Sequence, residues 1–147
     1  MKSITNNHLD FGSILSEKGI SRTNFRTNLV NYFYSSKKSL SVDDILKYFN
    51  NSINKVTVYR SLVSFENNGL IHKVPDANNH IRYSLCRREE CSSSSHNHNH
   101  GHFICYTCNQ TFCLDGVKYP EIITMKGFHV KEFKLTAEGY CKECYKN

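Results

Sequence analysis

Two cysteine pairs constrain this chain more than any other feature. Cys105-Tyr106-Thr107-Cys108 lies past the middle, and Cys141-Lys142-Glu143-Cys144 ends three residues before the last position. Each C-x-x-C turn puts two sulfurs on one side of a tight loop. Two such loops brought together offer the tetrahedron of thiolates that structural zinc takes. The 32 residues at 109–140 exceed the about 15–20 that separate the pairs of a simple ribbon. They leave room for a strand, a helix and a strand. The competing readings are reduced, buried thiols, or disulfides in an exported protein. Seven cysteines, an odd number, set as two pairs plus singles, argue against a disulfide framework. The opening residues, Met1 to His8, lack the apolar core of a signal peptide, and no run approaches a membrane span. The expectation is a cytoplasmic protein with no membrane partner, holding structural zinc on Cys105, Cys108, Cys141 and Cys144.

The 147 residues allow one ordinary domain or two small ones. The formal net charge of +6 permits nucleic-acid binding without requiring it. Apolar residues at helical spacing predict a short helix over 9–18, stopped by Gly19. A second follows, capped by Ser21 and carrying Phe25, Leu29, Tyr32 and Phe33. Ser41 opens a third helix with Asp43 and Asp44 at its positive end. A fourth runs from Lys55 to Glu66, with Val58, Leu62, Phe65 and Val56 toward a core and Lys55, Thr57, Tyr59 and Arg60 outward. Extended runs at 70–75 and 80–86 flank the turn residues Asp76-Ala77-Asn78-Asn79. Three helices followed by a hairpin is the order of a winged helix-turn-helix module, whose last helix enters the major groove.

Residues 87–100 change character. Charge gives way to Ser92–Ser95 and then to a histidine-rich run ending at His102. Linker composition of this kind marks a domain boundary. Beyond it, strands are expected around the first C-x-x-C turn, a short helix over 120–126, and a half-buried strand over Phe128–Leu135. So small a region needs a metal or a partner subunit to be stable. The fold class expected is α+β. A winged-helix DNA-binding domain at 1–86 is followed by a hinge linker at 87–100 and a zinc-bound α/β dimerisation domain at 101–147.

Several short motifs, in this order and spacing, resemble the ferric uptake regulator family of bacterial metalloregulators. They are Gly19-Ile20-Ser21-Arg22-Thr23, Leu40 to Ile45, Thr57-Val58-Tyr59-Arg60, Asn68-Gly69-Leu70, Phe103 through Cys108, Gly127-Phe128 and Gly139 through Cys144. The resemblance implies a homodimeric repressor that binds operator DNA when metal is bound, with a C-terminal domain that dimerises. It places Tyr59 and Arg60 at the DNA, alongside Thr57. Arg22 and Lys55 are expected on phosphates.

The resemblance also implies a second, regulatory metal site at the hinge. The ligand-type residues there are His72 and Cys86 on the hairpin, His96, His98, His100 and His102 on the linker side, and Cys113. His72 and Cys86 resemble the first two ligands of the zinc-uptake branch. Spacing back from Cys105 favours His98 as the next, with His100 and His102 close behind. Cys113 stands where the family usually has a glutamate, and Ser39 where iron sensors often carry a histidine. Two thiols with imidazoles suit zinc, a borderline-soft ion, over iron(II) or manganese(II). The plainer readings are that Cys86 and Cys113 are core thiols and that the histidine run is a solvated metal scavenger. His8 and His129 read as surface or structural, and Cys91 as unassigned.

The function expected is a zinc-responsive repressor. Its rivals are an iron- or peroxide-responsive regulator of the same family and, from another class, a His/Cys metal store or metallochaperone. Neither H-E-x-x-H nor H-x-E paired with P-C-x-x-C occurs, so no enzyme and no small-molecule substrate is expected.

Overall fold

The structure of the chain, a computed structural model, describes residues 9–36, 38–78, 80–86, 101–114, 127–129 and 134–146. The first helix, α1 (Phe11–Glu17), is capped by Asp10, whose carboxylate accepts from the Gly12 N–H at 3.0 Å and the Ser13 hydroxyl at 2.6 Å. The chain leaves it through Gly19 at φ +70°, where a side chain would be strained. The second, α2 (Asn24–Ser36), begins three residues later than the Ser21 cap expected from sequence. Thr23 does that work, accepting from the Arg26 N–H at 3.2 Å, while Ser21 is bonded by the Arg26 side chain.

The third, α3 (Val42–Tyr48), opens with a capping box. The Ser41 hydroxyl takes the Asp44 N–H at 3.1 Å, and the Asp44 carboxylate takes the Ser41 N–H at 2.9 Å. A turn follows in which Asn50 and Asn51 adopt φ of 51° and 54°, a region asparagine tolerates. Asn54 then caps α4 (Lys55–Asn67). Val58, Leu62 and Phe65 of α4 are fully buried against Leu15, Leu29, Phe33 and Ile45. Val56, expected in that core, is instead 54% exposed. It lies in the first turn, two residues before Val58, and falls on the opposite side of the helix.

Strands β1 (Ile71–Pro75) and β2 (Ile81–Leu85) pair antiparallel, with Ile71 opposite Leu85 and Pro75 opposite Ile81. Asp76 closes their turn by accepting the N–H groups of Asn78 and His80. Leu40 bridges to Tyr83 through two 2.8 Å backbone bonds, tying the α2–α3 connection to the hairpin. This part of the chain is a winged helix-turn-helix.

The second sheet has the order β4–β3–β5, with β3 (Gly101–Cys105), β4 (Thr111–Leu114) and β5 (Thr136–Gly139). β3 is antiparallel to β4 and parallel to β5. The strand expected over Phe128–Leu135 is not one at its described positions 128, 129, 134 and 135; β5 starts just after them. It escaped the alternation rule because three of its four residues are exposed. The helix expected over 120–126 lies outside the described residues.

A polar network joins the two parts. Ser39, 1% exposed, accepts from Arg82 Nε at 3.1 Å and gives its carbonyl to Arg82 Nη2 at 2.8 Å. Arg82 also pairs with Asp44 at 2.8 Å, and the Ser39 hydroxyl reaches Gln110 across the junction at 3.4 Å. Burial pushes the Asp44 carboxyl up, but hydrogen bonds from Ser41 and the Arg82 charge outweigh it, leaving the group below its ordinary value of 3.8. A carboxylate depressed in the folded state contributes stability that is present above its unfolded pKa and lost as pH falls through the folded one. Asp44→Asn should therefore cost about 1 kcal/mol at neutral pH, a figure discounted for a carboxylate that is 36% exposed. Urea denaturation should show the gap between the two proteins closing below about pH 4. A gap that stays constant into strong acid would assign the effect to shape and not to charge.

Candidate metal centres and nucleic-acid interface

Cys105 ends β3 and Cys141 follows β5 by two residues. The two strands are parallel neighbours with Cys105 opposite Gly139. Both C-x-x-C turns therefore leave the same end of the sheet, side by side. The sulfurs of Cys105, Cys108, Cys141 and Cys144 all lie within 4.8 Å of one another, and Cys108 and Cys141 are 4.0 Å apart. Zinc–sulfur bonds of about 2.3 Å at tetrahedral angles need sulfurs about 3.8 Å apart, so the set fits that ion with little adjustment. The N–H of Cys141 donates to the Cys105 sulfur at 3.3 Å. Backbone donors, that of Cys108 foremost, bring the Cys105 thiol down to about 6, against burial pushing it up. Hydrogen bonding with Cys141 and then burial push Cys144 up to about 12. One thiolate is thus tolerated readily, and further ones need a cation among them.

A second cluster sits at the junction. His72, on β1 and 4% exposed, meets His102 on β3 and Cys113 on β4, with one donor atom from each within 4.8 Å of the others. His102 and Cys113 are directly opposite in the β3–β4 ladder, so both side chains stand on one face of that hairpin. The Cys113 sulfur is 3.3 Å from Nε2 of His72. Cys86, just past β2, lies 3.7 Å from Nδ1, the other ring nitrogen. The expected ligands therefore stand on two sides of one imidazole, with Cys113 and His102 on one and Cys86 on the other. Of the linker-side histidines, His102 is described; His96, His98 and His100 lie outside the described residues, as do Cys91 and His8. Ser39 is held by Arg82 and Gln110, and His129 is exposed.

On α4, Lys55, Thr57, Tyr59 and Arg60 are exposed because Val58, Ser61, Leu62 and Phe65 occupy the buried face. Tyr59 is 44% exposed. Arg22 lies on the connection from α1 to α2, also exposed. Sequence reasoning missed Arg82, Gln110 and Thr111, which link the two parts of the chain. Thr111 donates to the Pro75 carbonyl at 2.5 Å. Their signal is tertiary and leaves no motif. The His102–Cys113 pairing could have been read by counting outward from the hairpin turn after Cys105.

The model of the ferric uptake regulator family matches residues 17–138. A ferric uptake regulation protein of Synechococcus elongatus is 28% identical over 142 residues, covering 90% of this chain and 91% of that protein. Among solved structures, a zinc uptake regulator complexed with zinc and DNA superposes with a TM-score of 0.63 at 22% identity, covering 90% of this chain and 88% of the other. The ferric uptake regulator of Francisella tularensis with iron gives 0.58 at 27%, covering 86% and 95%. Among the described residues, no helix is long and apolar enough to cross a membrane. The family match covers residues 17–138, most of the sequence and both sheets but for Gly139, and on that ground the chain belongs to the ferric uptake regulator family.

Proposed function

We propose that this chain is a zinc-responsive transcriptional repressor that binds operator DNA as a homodimer when its junction site is filled. The observation that carries the reading is the His72–His102–Cys113 cluster, whose donors come from both sides of the junction. Two imidazoles and a thiol, with the Cys86 thiol beside the same imidazole, suit zinc better than iron(II) or manganese(II). The likeness to a zinc uptake regulator on DNA supports the architecture and leaves the choice of metal to this chemistry. Bound zinc would supply one rigid link at the junction.

The chain's own residues do the rest. His72 carries the link into β1 of the wing, while Thr111 and Gln110 hold the facing hairpin to Pro75 and Ser39. With that arrangement favoured, the two reading helices of a dimer keep a fixed spacing for paired half-sites. The gain is limited to the metal's differential affinity for that arrangement, a coupling of about 1–3 kcal/mol. On α4, Tyr59 offers a ring to a thymine methyl and Arg60 a fork to guanine or phosphate, with Thr57 beside them. Lys55 and Arg22 serve phosphates. The four-cysteine set is the structural zinc, and it holds together the region through which the protein dimerises.

Cys141→Ser should lose one zinc per chain and the dimer with it, read by metal analysis alongside sedimentation. Retention of both would overturn that assignment. Cys113→Ser should keep the structural zinc and the dimer yet lose zinc-dependent DNA binding, whereas Cys86→Ser, which removes only the neighbour of the other ring nitrogen of His72, should weaken that response without abolishing it. A normal response in both would sink the junction model. Ligation by thiols displaces protons, so the response in the unmutated protein should weaken as pH falls. Tyr59→Ala should weaken binding to the preferred duplex by about 1–3 kcal/mol while leaving metal content and dimerisation unchanged. If the unmutated protein bound preferred and scrambled duplexes equally, a metal-store function would be the better account.

A further inference from the structure

Gly12 occupies the first turn of α1, where glycine is a poor choice. Its backbone does not call for it, because the positive-φ glycines of the described chain are Gly19, Gly69 and Gly127. What Gly12 supplies is space. The guanidinium of Arg22 lies against its Cα, so that a Cβ built there would fall 2.7 Å from Nε and closer still to Cζ and Nη2. The cap of the same helix brings a negative charge to the same place. Asp10 accepts from Gly12 N–H and the Ser13 hydroxyl, and its carboxyl is held below the usual range by Ser13 first and by the Arg22 charge in part.

We propose that α1 is part of the DNA-binding device: Gly12 is a positioning residue whose missing side chain seats the Arg22 guanidinium before DNA arrives. The inference rests on the reading of Arg22 as a phosphate contact. An exposed arginine carries a large rotamer entropy, and a phosphate contact made from a free side chain forfeits much of it on binding. A seat that restricts the guanidinium in the free protein removes part of that loss from the binding step. The seat is the space left by a missing side chain, at a residue that would not itself touch the DNA.

The test uses the full-length, zinc-loaded protein and a duplex that this protein selects from a randomised-sequence pool. Affinity is measured across a salt series for the unmutated protein, Gly12→Ala, Arg22→Ala and the double variant, with a melting curve for each. Arg22→Ala should bind several-fold more weakly and lower the slope of log affinity against log salt by about 1. Gly12→Ala should also bind more weakly, although alanine favours the helix and the melting temperature should hold or rise. In the Arg22→Ala background the Gly12 change should have no further effect on binding, whereas general damage to α1 would persist there. If Gly12→Ala binds as well as the unmutated protein or more tightly, or weakens binding equally in both backgrounds, the seat is overturned while the phosphate contact stands. If Arg22→Ala binds normally, the phosphate contact fails and the seat fails with it.

Discussion

Four thiols meet at one end of the second sheet. Among the described residues of that region, only Ile104 and Cys105 are buried apolar side chains, with Thr111 beside them. The third strand of that sheet is mostly exposed. The parallel pairing of β3 with β5 brings the two C-x-x-C turns together, and a cation among the four sulfurs would hold the pairing in return.

The winged helix stands on different terms. Its core is continuous from Leu15 to Tyr83, with buried apolar side chains from all four helices and the hairpin. Its polar ties are local caps, together with Arg82, which holds the α2–α3 connection to the wing. Arg82 matters because it also fixes Ser39, and Ser39 faces Gln110 on the other side of the junction. The wing, α3 and the facing hairpin are thus linked through a short chain of contacts, while α4 meets the wing through β1, where Glu66 pairs with Lys73 at 3.2 Å. The buried His72 sits in the same junction, on the strand that belongs to the wing. A change at His72 can therefore reach α4 through packed elements, without a separate mechanical part.

Much of this was legible in the residue order. The helical periodicity of Val58, Leu62 and Phe65 placed α4 and exposed Tyr59 and Arg60, because a helix has one buried face and 3.6 residues per turn. The Ser41 cap was visible as a local pattern, and so were the turn at Asp76 and the C-x-x-C pairs. Local patterns are what sequence carries best, since their partners lie within four residues. The failures were of other kinds. Ser21 and Thr23 are both acceptable caps, and only the packing of α2 chose between them. β5 has neither alternation nor burial to announce it.

What the sequence determined by itself was the order of elements, the outward face of the reading helix and the supply of metal-type donors. What the tertiary structure decided was which donors meet. The C-x-x-C spacing already grouped Cys105 with Cys141, but the parallel pairing of β3 with β5 that sets them side by side is tertiary. His72 meets His102 and Cys113 because the wing lies against the β3–β4 hairpin, and the orientation of one imidazole put Cys86 on its other nitrogen. The Arg22 seat on Gly12 is of the same kind, since an absent side chain has meaning only when something occupies its place. Long-range contacts are settled by how faces pack in three dimensions, and a linear pattern records the faces without recording their partners.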